Sequence, residues 1–267
     1  MEIAAKRLGM SGPAPLTTLM TVIRLLSLPG DREIGDLVEY CLDSHRPGGR
    51  RLILNMVTSL DGATSVGGET APLSDEDDRA LFNALRAAAD VILVGAETVR
   101  AEGYGPVSLP ERARRARTDR GLEESPRLAV VTRSVDLGDG LRRLRDGSGP
   151  PYVITGRDAP PDRVQEAGEG AVLLQVGESG ADPAALLDAL WERGHEVILC
   201  EGGPTLAGRL AAGDLIDEVN LALSPLVVGG SSSRLVHGLG PASHRFRLDR
   251  LMTGDRMLFA RYLRDRP

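Results

Sequence analysis

Short apolar runs alternate with amphipathic stretches along most of the chain. The runs are rich in Val, Ile and Leu: LILNMVTSL (52–60), VILVG (91–95), LAVVT (128–132), YVIT (152–155), VLLQV (172–176) and VILC (197–200). Runs without polar alternation are typical of strands that are covered on both faces. Because helical patterns separate several of them, the chain is predicted to form an α/β fold, with a mostly parallel central sheet flanked by helices.

Two of the helical patterns carry clear start signals. SDEDDRALFNALRAAA (74–89) predicts a helix with Ser74 as the N-cap and acids in its first turn. DPAALLDALWERG (182–194) predicts another, with Asp182 as the N-cap and proline at the first helical position. The arginine-rich stretch 109–126 is interpreted as a solvated excursion from the sheet.

The N-terminal part of the chain is weakly patterned. Residues 1–18 are small, polar and interrupted by Pro and Gly, and they predict a flexible tail ahead of a single domain over 19–267. LMTVIRLLSL (19–28) predicts a strand. DREIGDLVEYCLD (31–43) predicts a short helix with Asp31 as its cap.

The C-terminal part changes character. RFRLDRL (245–251) and MLFARYL (257–263) alternate apolar and polar residues around a TGD turn, which predicts an antiparallel hairpin on the sheet edge. This hairpin and VNLALSPLVVGG (219–230) would present apolar residues near an open edge, which isolated monomers rarely leave uncovered. A twofold homodimer is therefore expected.

Composition narrows the possible partners. With 267 residues and 42% hydrophobic content the chain can bury a sizeable core, and its net charge of −6 is spread without a basic patch. Nucleic acid and acidic membranes are thus excluded as expected partners. The two cysteines are far apart and the four histidines do not cluster, so neither a disulfide nor a metal site is expected. No apolar run is long enough to span a bilayer, and we expect a soluble, cytoplasmic protein.

ILCEGGPTLAGRL (198–210) carries the most informative chemistry. VILC predicts a buried strand, and Pro204 stands where the first residue of a helix belongs. Gly202 and Gly203 leave backbone N–H groups uncovered at the positive end of that helix, a cradle suited to a phosphate or diphosphate. The alternative is an ordinary tight turn, but an acid such as Glu201 at a strand end gains nothing in packing. Neither a GxxxxGK loop nor a GxGxxG fingerprint is present.

Two further strand ends carry polar groups. Asp61 follows the first apolar run and precedes a glycine, a pair that is also common in plain turns. Gly95 and Thr98 follow VILVG and open a turn or short helix. Since ligands of open α/β sheets bind at the carboxyl ends of strands, the three ends together predict one site.

The chain resembles the reductase domain of the bifunctional riboflavin-biosynthesis deaminase–reductase in four motifs that occur in the same order: SLDG, GAETVRAEG, EGGPTL and SPLVVGG. The resemblance runs from about Arg51 to the C-terminal hairpin and implies a dihydrofolate-reductase-like fold and a dimer. VRAEGYG is most similar to a stand-alone branch of the family that binds NADPH.

The resemblance also implies site residues. The cofactor-binding set is Gly95, Thr98, Glu102, Arg133, Ser134, Val176, Gly202, Gly203, Pro204, Thr205 and Leu206. Within this set the EGGPTL turn would wrap the diphosphate, and Val176 would lie near the nicotinamide. Arg133 and Ser134 are candidates for binding the adenosine 2′-phosphate. The alternative is that they form an ordinary polar strand exit and that Arg157 binds the phosphate.

On the substrate side the resemblance implies Asp61, Thr70, Arg86 and Glu201. Asp61 and Glu201 are the catalytic candidates, since reduction of a C=N bond needs a proton as well as a hydride. Either acid could relay that proton if partial burial raised its pKa.

The sequence departs from the family in two places. The run R-A-D-D-P-x-L, followed by a basic residue, becomes RAEGYGPVSLP, with Glu102 in place of the first acid and Leu109 about where the arginine is expected. Without that guanidinium, the binding free energy of a substrate phosphate is weaker by about 1.5–3 kcal/mol. The H-x-E and PCxxC zinc signature of the deaminase is absent, so no deamination is expected.

The sequence therefore predicts an NADPH-dependent reductase of a pyrimidine- or pterin-like heterocycle. The first choice is reduction of 5-amino-6-(5-phosphoribosylamino)uracil in riboflavin biosynthesis. A dihydrofolate-reductase-like activity and a non-catalytic NADPH-binding protein are the alternatives. The pair Asp61 and Glu201 argues against the last of these, because a pure cofactor binder needs neither acid.

Overall fold

The computed structural model describes residues 34–46, 48–138, 144, 149–238, 240 and 243–266. The predicted tail over 1–18, the strand predicted over 19–28 and the cap Asp31 lie outside the described residues. From Gly35 onward the described residues belong to one compact unit. A single domain over 19–267 stays a prediction.

One sheet organises the described residues. Its strands are β1 (Arg51–Thr58), β2 (Val91–Gly95), β3 (Arg127–Val131), β4 (Tyr152–Thr155), β5 (Val172–Gln175), β6 (Val197–Cys200), β7 (Glu218–Leu223), β8 (Phe246–Thr253) and β9 (Leu258–Arg264). Their order in space is β5-β4-β3-β2-β6-β1-β7-β9-β8. Strands β1 to β7 are parallel, while β9 is antiparallel to both of its neighbours. The predicted sheet and its C-terminal hairpin are confirmed.

Helices connect and flank the strands. Those described are α1 (Leu37–His45), α2 (Glu76–Ala88), α3 (Ala96–Ala101), α4 (Glu111–Thr118), α5 (Pro161–Gly168), α6 (Pro183–Trp191) and α7 (Pro204–Ala212). Two helix starts confirm their predictions: Asp182 caps α6 by accepting the amide of Ala185 at 2.9 Å, and Pro204 is the first residue of α7.

Two predicted caps are wrong by a short distance along the chain. Helix α2 is capped by Asp75, whose carboxylate accepts the amide of Asp78 at 2.9 Å, and not by Ser74. Helix α1 begins at Leu37 with Asp36 as its cap. In each case a carboxylate lies nearer to the helix start than the predicted residue, and an acid there is favoured by the helix dipole.

The stretch 109–126 is not a solvated excursion along its whole length. It contains α4, in which Arg117 is 1% exposed. The guanidinium donates to the carbonyls of Ala87 and Ala89 at the end of α2 and to that of Glu123. Burial lowers the pKa of Arg117 to about 10. The spacing of the arginines in the sequence does not indicate that Arg117 would bond to the carbonyls at the end of α2.

Strand β7 corrects the edge prediction. VNLALSPLVVGG was expected near an open edge, but β7 pairs with β1 on one side and β9 on the other. Among the strands that the structure describes, β8 is the outermost on that side of the sheet. The residues of this stretch that remain strongly exposed follow the strand, with Leu226 40% and Val227 76% exposed.

The two ends of the parallel strands serve different purposes. At the amino end of β7, Glu218 is fully buried and accepts hydrogen bonds from Arg261 at 2.8 Å and Asn220 at 2.8 Å, with His45 at 3.1 Å. Burial alone would raise the pKa of Glu218, but His45 and Arg261 outweigh it and lower the pKa to about 2. This end is closed by paired charges.

The carboxyl ends of β1, β2, β3 and β6 lie side by side at the opposite end of the strands, because these four strands are parallel neighbours. The polar strand ends predicted from the sequence meet there. Within the part of the chain that the structure describes, no helix combines the length and apolar character needed to cross a bilayer.

Candidate active site

A cleft of about 930 Å³ opens at the carboxyl ends of these strands. Most of the predicted site residues line it: Thr70, Gly95, Thr98, Glu102, Arg133, Ser134, Glu201, Gly202, Gly203, Pro204, Thr205 and Leu206. Three of the predicted residues are not among those that line it: Asp61, Arg86 and Val176.

The turn between β6 and α7 forms the floor of the cleft. Gly203 caps α7 in extended conformation, and the carbonyl of Gly202 accepts the amide of Gly95 at 3.0 Å, which joins this turn to the end of β2. A Cβ placed on Gly203 would lie 2.8 Å from Oγ1 of Thr98, so Thr98 would have to move to admit a larger residue. The first amides of α7, including those of Thr205 and Leu206, have no acceptor within the helix. They are available to an anion in the cleft.

Glu201 stands at the end of β6, with its side chain only 2% exposed. Its Oε1 accepts from Nε of Arg86 at 2.7 Å, and its Oε2 accepts from Nη2 of the same residue at 2.7 Å. The hydroxyl of Tyr104 donates to Oε2 at 2.8 Å. In each of these three hydrogen bonds the carboxylate of Glu201 is the acceptor.

Arg86 therefore lies behind Glu201 and not on the cleft wall, where substrate contact was expected. The guanidinium is held over the ring of Phe82 at 4.1 Å and over that of Tyr104 at 5.7 Å. Burial alone would lower the pKa of Arg86, but the carboxylate of Glu201 outweighs it and raises the pKa. Burial, and then the negative charge of Glu201, raise the pKa of Tyr104 well above its usual value. Both donors remain protonated.

Asp61 is also placed differently from the expectation. Its carboxylate accepts from Ser59 Oγ at 2.5 Å and from the amides of Val228 at 3.1 Å and Gly229 at 2.7 Å. These hydrogen bonds, that of Ser59 first, lower the pKa of Asp61 to about 2. The raised pKa expected of a proton relay is wrong for this side chain. Asp61 instead anchors the loop after β7 to the end of β1.

Val176 follows β5, the outermost parallel strand, and packs against the core beneath α6 and α7. Strands β4, β3 and β2 separate it from β6 and Glu201. Val176 is not among the residues that line the cleft, and its place beside the nicotinamide stays a prediction.

Positive charge gathers at the β3–β5 end of the cleft. Three arginines line it and each contacts that side: Arg100 donates to the carbonyl of Asp136 at 2.7 Å, Arg133 lies 3.4 Å from Asp158, and Arg209 donates to the carbonyl of Ala181. The side chain of Arg133 is 78% exposed and free to turn toward a ligand. This end of the cleft suits a phosphate-bearing group.

The other end carries hydroxyls and acids. Thr70 Oγ1 donates to Glu102 at 2.9 Å across the mouth of the cleft. Ser65 and Ser232 share a hydrogen bond at 3.1 Å between their hydroxyls, which fixes the 63–70 loop against the loop after β7. Together with Glu201, these groups offer acceptors to a ligand that is rich in N–H donors.

Several lining residues were missed by the sequence reasoning. Asp158 had a signal, since it is an acid just beyond the YVIT strand, and its carboxylate accepts the amide of Gly180 at 2.7 Å. Arg100 and Arg209 had none, and neither had Tyr104, which does not line the cleft but donates to Glu201; each is placed by packing between elements that are distant in sequence.

Comparison with known proteins agrees with this geometry. Residues 50–258 match the model of the RibD C-terminal domain family. The chain is 32% identical over 190 residues to the 2,5-diamino-6-ribosylamino-4(3H)-pyrimidinone 5′-phosphate reductase of Methanothermobacter thermautotrophicus, covering 71% of this chain and 84% of that protein. It is 31% identical over 186 residues to the protein of the same name from Archaeoglobus fulgidus, covering 69% and 84%.

Solved structures support the same fold. A pyrimidine reductase-like protein from Corynebacterium diphtheriae superposes with a TM-score of 0.71 at 27% identity, covering 82% of this chain and 93% of that one. A deaminase/reductase from Thermotoga maritima superposes with a TM-score of 0.65 at 18% identity, covering 81% and 57%. The predicted dihydrofolate-reductase-like fold and the resemblance to the reductase domain are confirmed.

The anchoring role of Asp61 leads to a testable prediction. Replacing Asp61 by Asn removes the charged acceptor, so we expect the Val228 and Gly229 amides to exchange with solvent about tenfold faster. Since the folded pKa of about 2 lies below the unfolded value, the protection in the wild type should be complete above about pH 4 and lost as the pH falls toward 2. Hydrogen exchange measures both effects.

Asp255→Asn is the matched control, because this carboxylate is exposed on the β8–β9 turn and pairs only with Arg256 at 3.4 Å. Unchanged exchange at 228–229 in Asp61→Asn would show that the loop is held by other contacts.

Proposed function

Because the chain belongs to the RibD C-terminal domain family, we propose that it is an NADPH-dependent reductase of a pyrimidine- or pterin-like heterocycle. The first choice of substrate is a ribosylaminopyrimidine 5′-phosphate, after the reaction in the names of the two archaeal relatives. One observation carries the proposal: an uncovered glycine turn and an acceptor carboxylate, Glu201, line the same cleft.

The cleft has the features that a nicotinamide dinucleotide requires. Gly203 and the first turn of α7 offer backbone amides to the diphosphate, and a side chain at Gly203 would collide with Thr98. Arg133 and Ser134 line the cationic end and would hold the adenosine 2′-phosphate. When bound, NADPH would supply the hydride. The residues of the chain orient the two reactants and exclude water between them.

At the other end, Glu201 would accept a hydrogen bond from an amino group or ring N–H of the heterocycle. Arg86 neutralises the carboxylate from behind, so Glu201 orients its partner without repelling the cofactor's diphosphate. Thr70 and Glu102 would close over the opposite side of the ring.

A second candidate substrate is a pterin without a phosphate. The three arginines that line the described part of the cleft all contact its β3–β5 side, and Glu102 and Glu201 line the other. Leu109, about where the family has a basic residue, is buried at 4% exposure. This distribution of charge favours a neutral, donor-rich ring over a phosphorylated one.

The test is NADPH oxidation by the purified protein against the ribosylaminopyrimidine 5′-phosphate, its dephosphorylated form and dihydrofolate. Turnover of the first compound alone supports the first choice, and equal turnover of the first two or turnover of dihydrofolate supports the second. NADPH binding without oxidation by any compound would favour a non-catalytic cofactor binder and contradict the proposal.

Cofactor choice provides a prediction. We expect NADPH to bind at least tenfold more tightly than NADH, a difference of about 1.4 kcal/mol. Arg133→Ala should remove most of this preference, since its guanidinium lines the cationic end. Arg157→Ala tests the alternative partner and should leave the preference intact, because Arg157 is turned to Glu178 at 2.5 Å. Calorimetry measures the affinities for NADPH and NADH. Equal affinities in the wild type would show that the protein does not recognise the 2′-phosphate.

Mutations in the two halves of the cleft should affect cofactor binding and turnover separately. Glu201→Gln keeps the shape but loses the charge, and we expect NADPH affinity to change less than about threefold while turnover falls about a hundredfold. Gly203→Val should abolish cofactor binding because its side chain would displace Thr98 and block the approach of the diphosphate to the first amides of α7.

The control for folding is Gly168→Val, at the end of α5, where an added Cβ meets nothing within 4 Å. Fluorescence titration with NADPH and steady-state oxidation give the two readouts. Loss of NADPH binding in Glu201→Gln would mean that this acid belongs to the cofactor half.

We further propose that the chain forms a twofold homodimer. Leu60 is 57% exposed and donates its amide to the carbonyl of Leu226 at 2.8 Å, so it joins Leu226 and Val227 in one exposed apolar group. Strand β8 is the outermost described strand on its side of the sheet, and its Leu248 is 41% exposed. A second copy would cover such surfaces.

Light scattering at micromolar concentration should give the mass of a dimer. Val227→Asp should shift the protein toward the monomer if this apolar group is at the interface, whereas Asp255→Asn should not. A monomeric wild type would contradict the proposal.

A further inference from the structure

Tyr104 is the residue that the proposed function leaves without a role. It follows α3, where its amide donates to the carbonyl of Val99 at 3.2 Å, and its ring packs against the core. It stands where the R-A-D-D-P run of the family places proline, so the phenol is a departure in this chain. The hydroxyl does not line the cleft but donates to Oε2 of Glu201 at 2.8 Å.

With this hydrogen bond, both acceptor positions of Oε2 of Glu201 are filled. A carboxylate offers about four acceptor positions, two on each oxygen. Oε2 of Glu201 receives Nη2 of Arg86 and the phenol of Tyr104, and Oε1 receives Nε of Arg86. One position remains, on Oε1, for a donor that enters the cleft.

We propose that Tyr104 is a positioning residue that presents Oε1 of Glu201 to an N–H donor of the substrate. With the phenol present, the carboxylate has a single open acceptor position and one orientation. Without it, Oε2 regains an unpaired position at a side chain that is 2% exposed, and the group can shift to satisfy it. The ligand class is a heterocycle bearing an amino group or ring N–H. The inference rests on the proposed function, in which such a ring lies beside Glu201.

Charge and burial keep the phenol in this role. The raised pKa of Tyr104 leaves it protonated across the range in which enzymes work, so it always donates to the carboxylate. The groups that face it are Glu201 and Arg86 alone among the charged contacts that the structure describes. Because the phenol acts through Glu201, its removal should affect the substrate and not the cofactor.

The experiment measures Tyr104→Phe, which keeps the ring and removes the hydroxyl. For the protein saturated with NADPH, we expect 2,4-diaminopyrimidine to bind about tenfold more weakly by calorimetry. With a substrate that is turned over, kcat/KM should fall by a similar factor, mainly through KM. The affinity for NADPH should stay within twofold.

Tyr152→Phe is the matched control. Its phenol is also partly buried and bonded, to Arg127 at 2.8 Å and to His195 at 2.9 Å, but it lies at the start of β4, at the opposite edge of the sheet. A structural loss of this kind should leave diaminopyrimidine binding unchanged. In a Glu201→Gln background, Tyr104→Phe should have less than a twofold further effect, since its action passes through the carboxylate.

The outcomes separate the two proposals. Weakened diaminopyrimidine binding in Tyr104→Phe, without NADPH oxidation by the wild type, would support the role of Tyr104 and contradict the reductase. Normal oxidation with unchanged binding and KM in Tyr104→Phe would overturn the role of Tyr104 alone. Additive effects with Glu201→Gln, an equal loss of NADPH affinity, or failure of the wild type to bind the probe would also overturn it.

Discussion

Glu201 ends an interior strand with its carboxylate almost fully buried, and the guanidinium of Arg86 compensates the cost of that burial through two hydrogen bonds of 2.7 Å. An unpaired ion in such a place would cost on the order of several kcal/mol. The pair links α2 to the end of β6 and so fixes the wall beside the glycine turn. The position of the carboxylate relative to the cofactor cradle depends on this contact.

The cleft is divided by charge as a consequence. Arg86 is turned to Glu201, and the arginines that line the cleft, Arg100, Arg133 and Arg209, all contact the other end. Asp158 also lines the β3–β5 end and pairs with Arg133, but the arginines there outnumber it and attract anionic groups, whereas donor groups are attracted to the end at β6. A dinucleotide that lies along this gradient would bring its uncharged ring beside Glu201.

A buried group of paired charges and the cleft lie at opposite ends of the same parallel strands. At the amino end of β7 the buried Glu218 is paired with His45, Arg261, Asn220 and Arg51. At the carboxyl edge, backbone amides of α7 and one position on Glu201 are left for a ligand. Parallel strands make this separation possible, since all of them end at the same edge.

The sequence by itself determined most of the described strands, the C-terminal hairpin and the glycine turn before α7, because each is a local pattern or a family motif. The tertiary structure alone decided which charges meet. Arg86 and Glu201 are 115 positions apart, and their pairing follows from β6 lying between β1 and β2. Asp61 was expected to handle a proton, yet it anchors the loop at Val228 and Gly229. A carboxylate's chemistry is set by the donors around it, and those donors come from elements that only folding brings together.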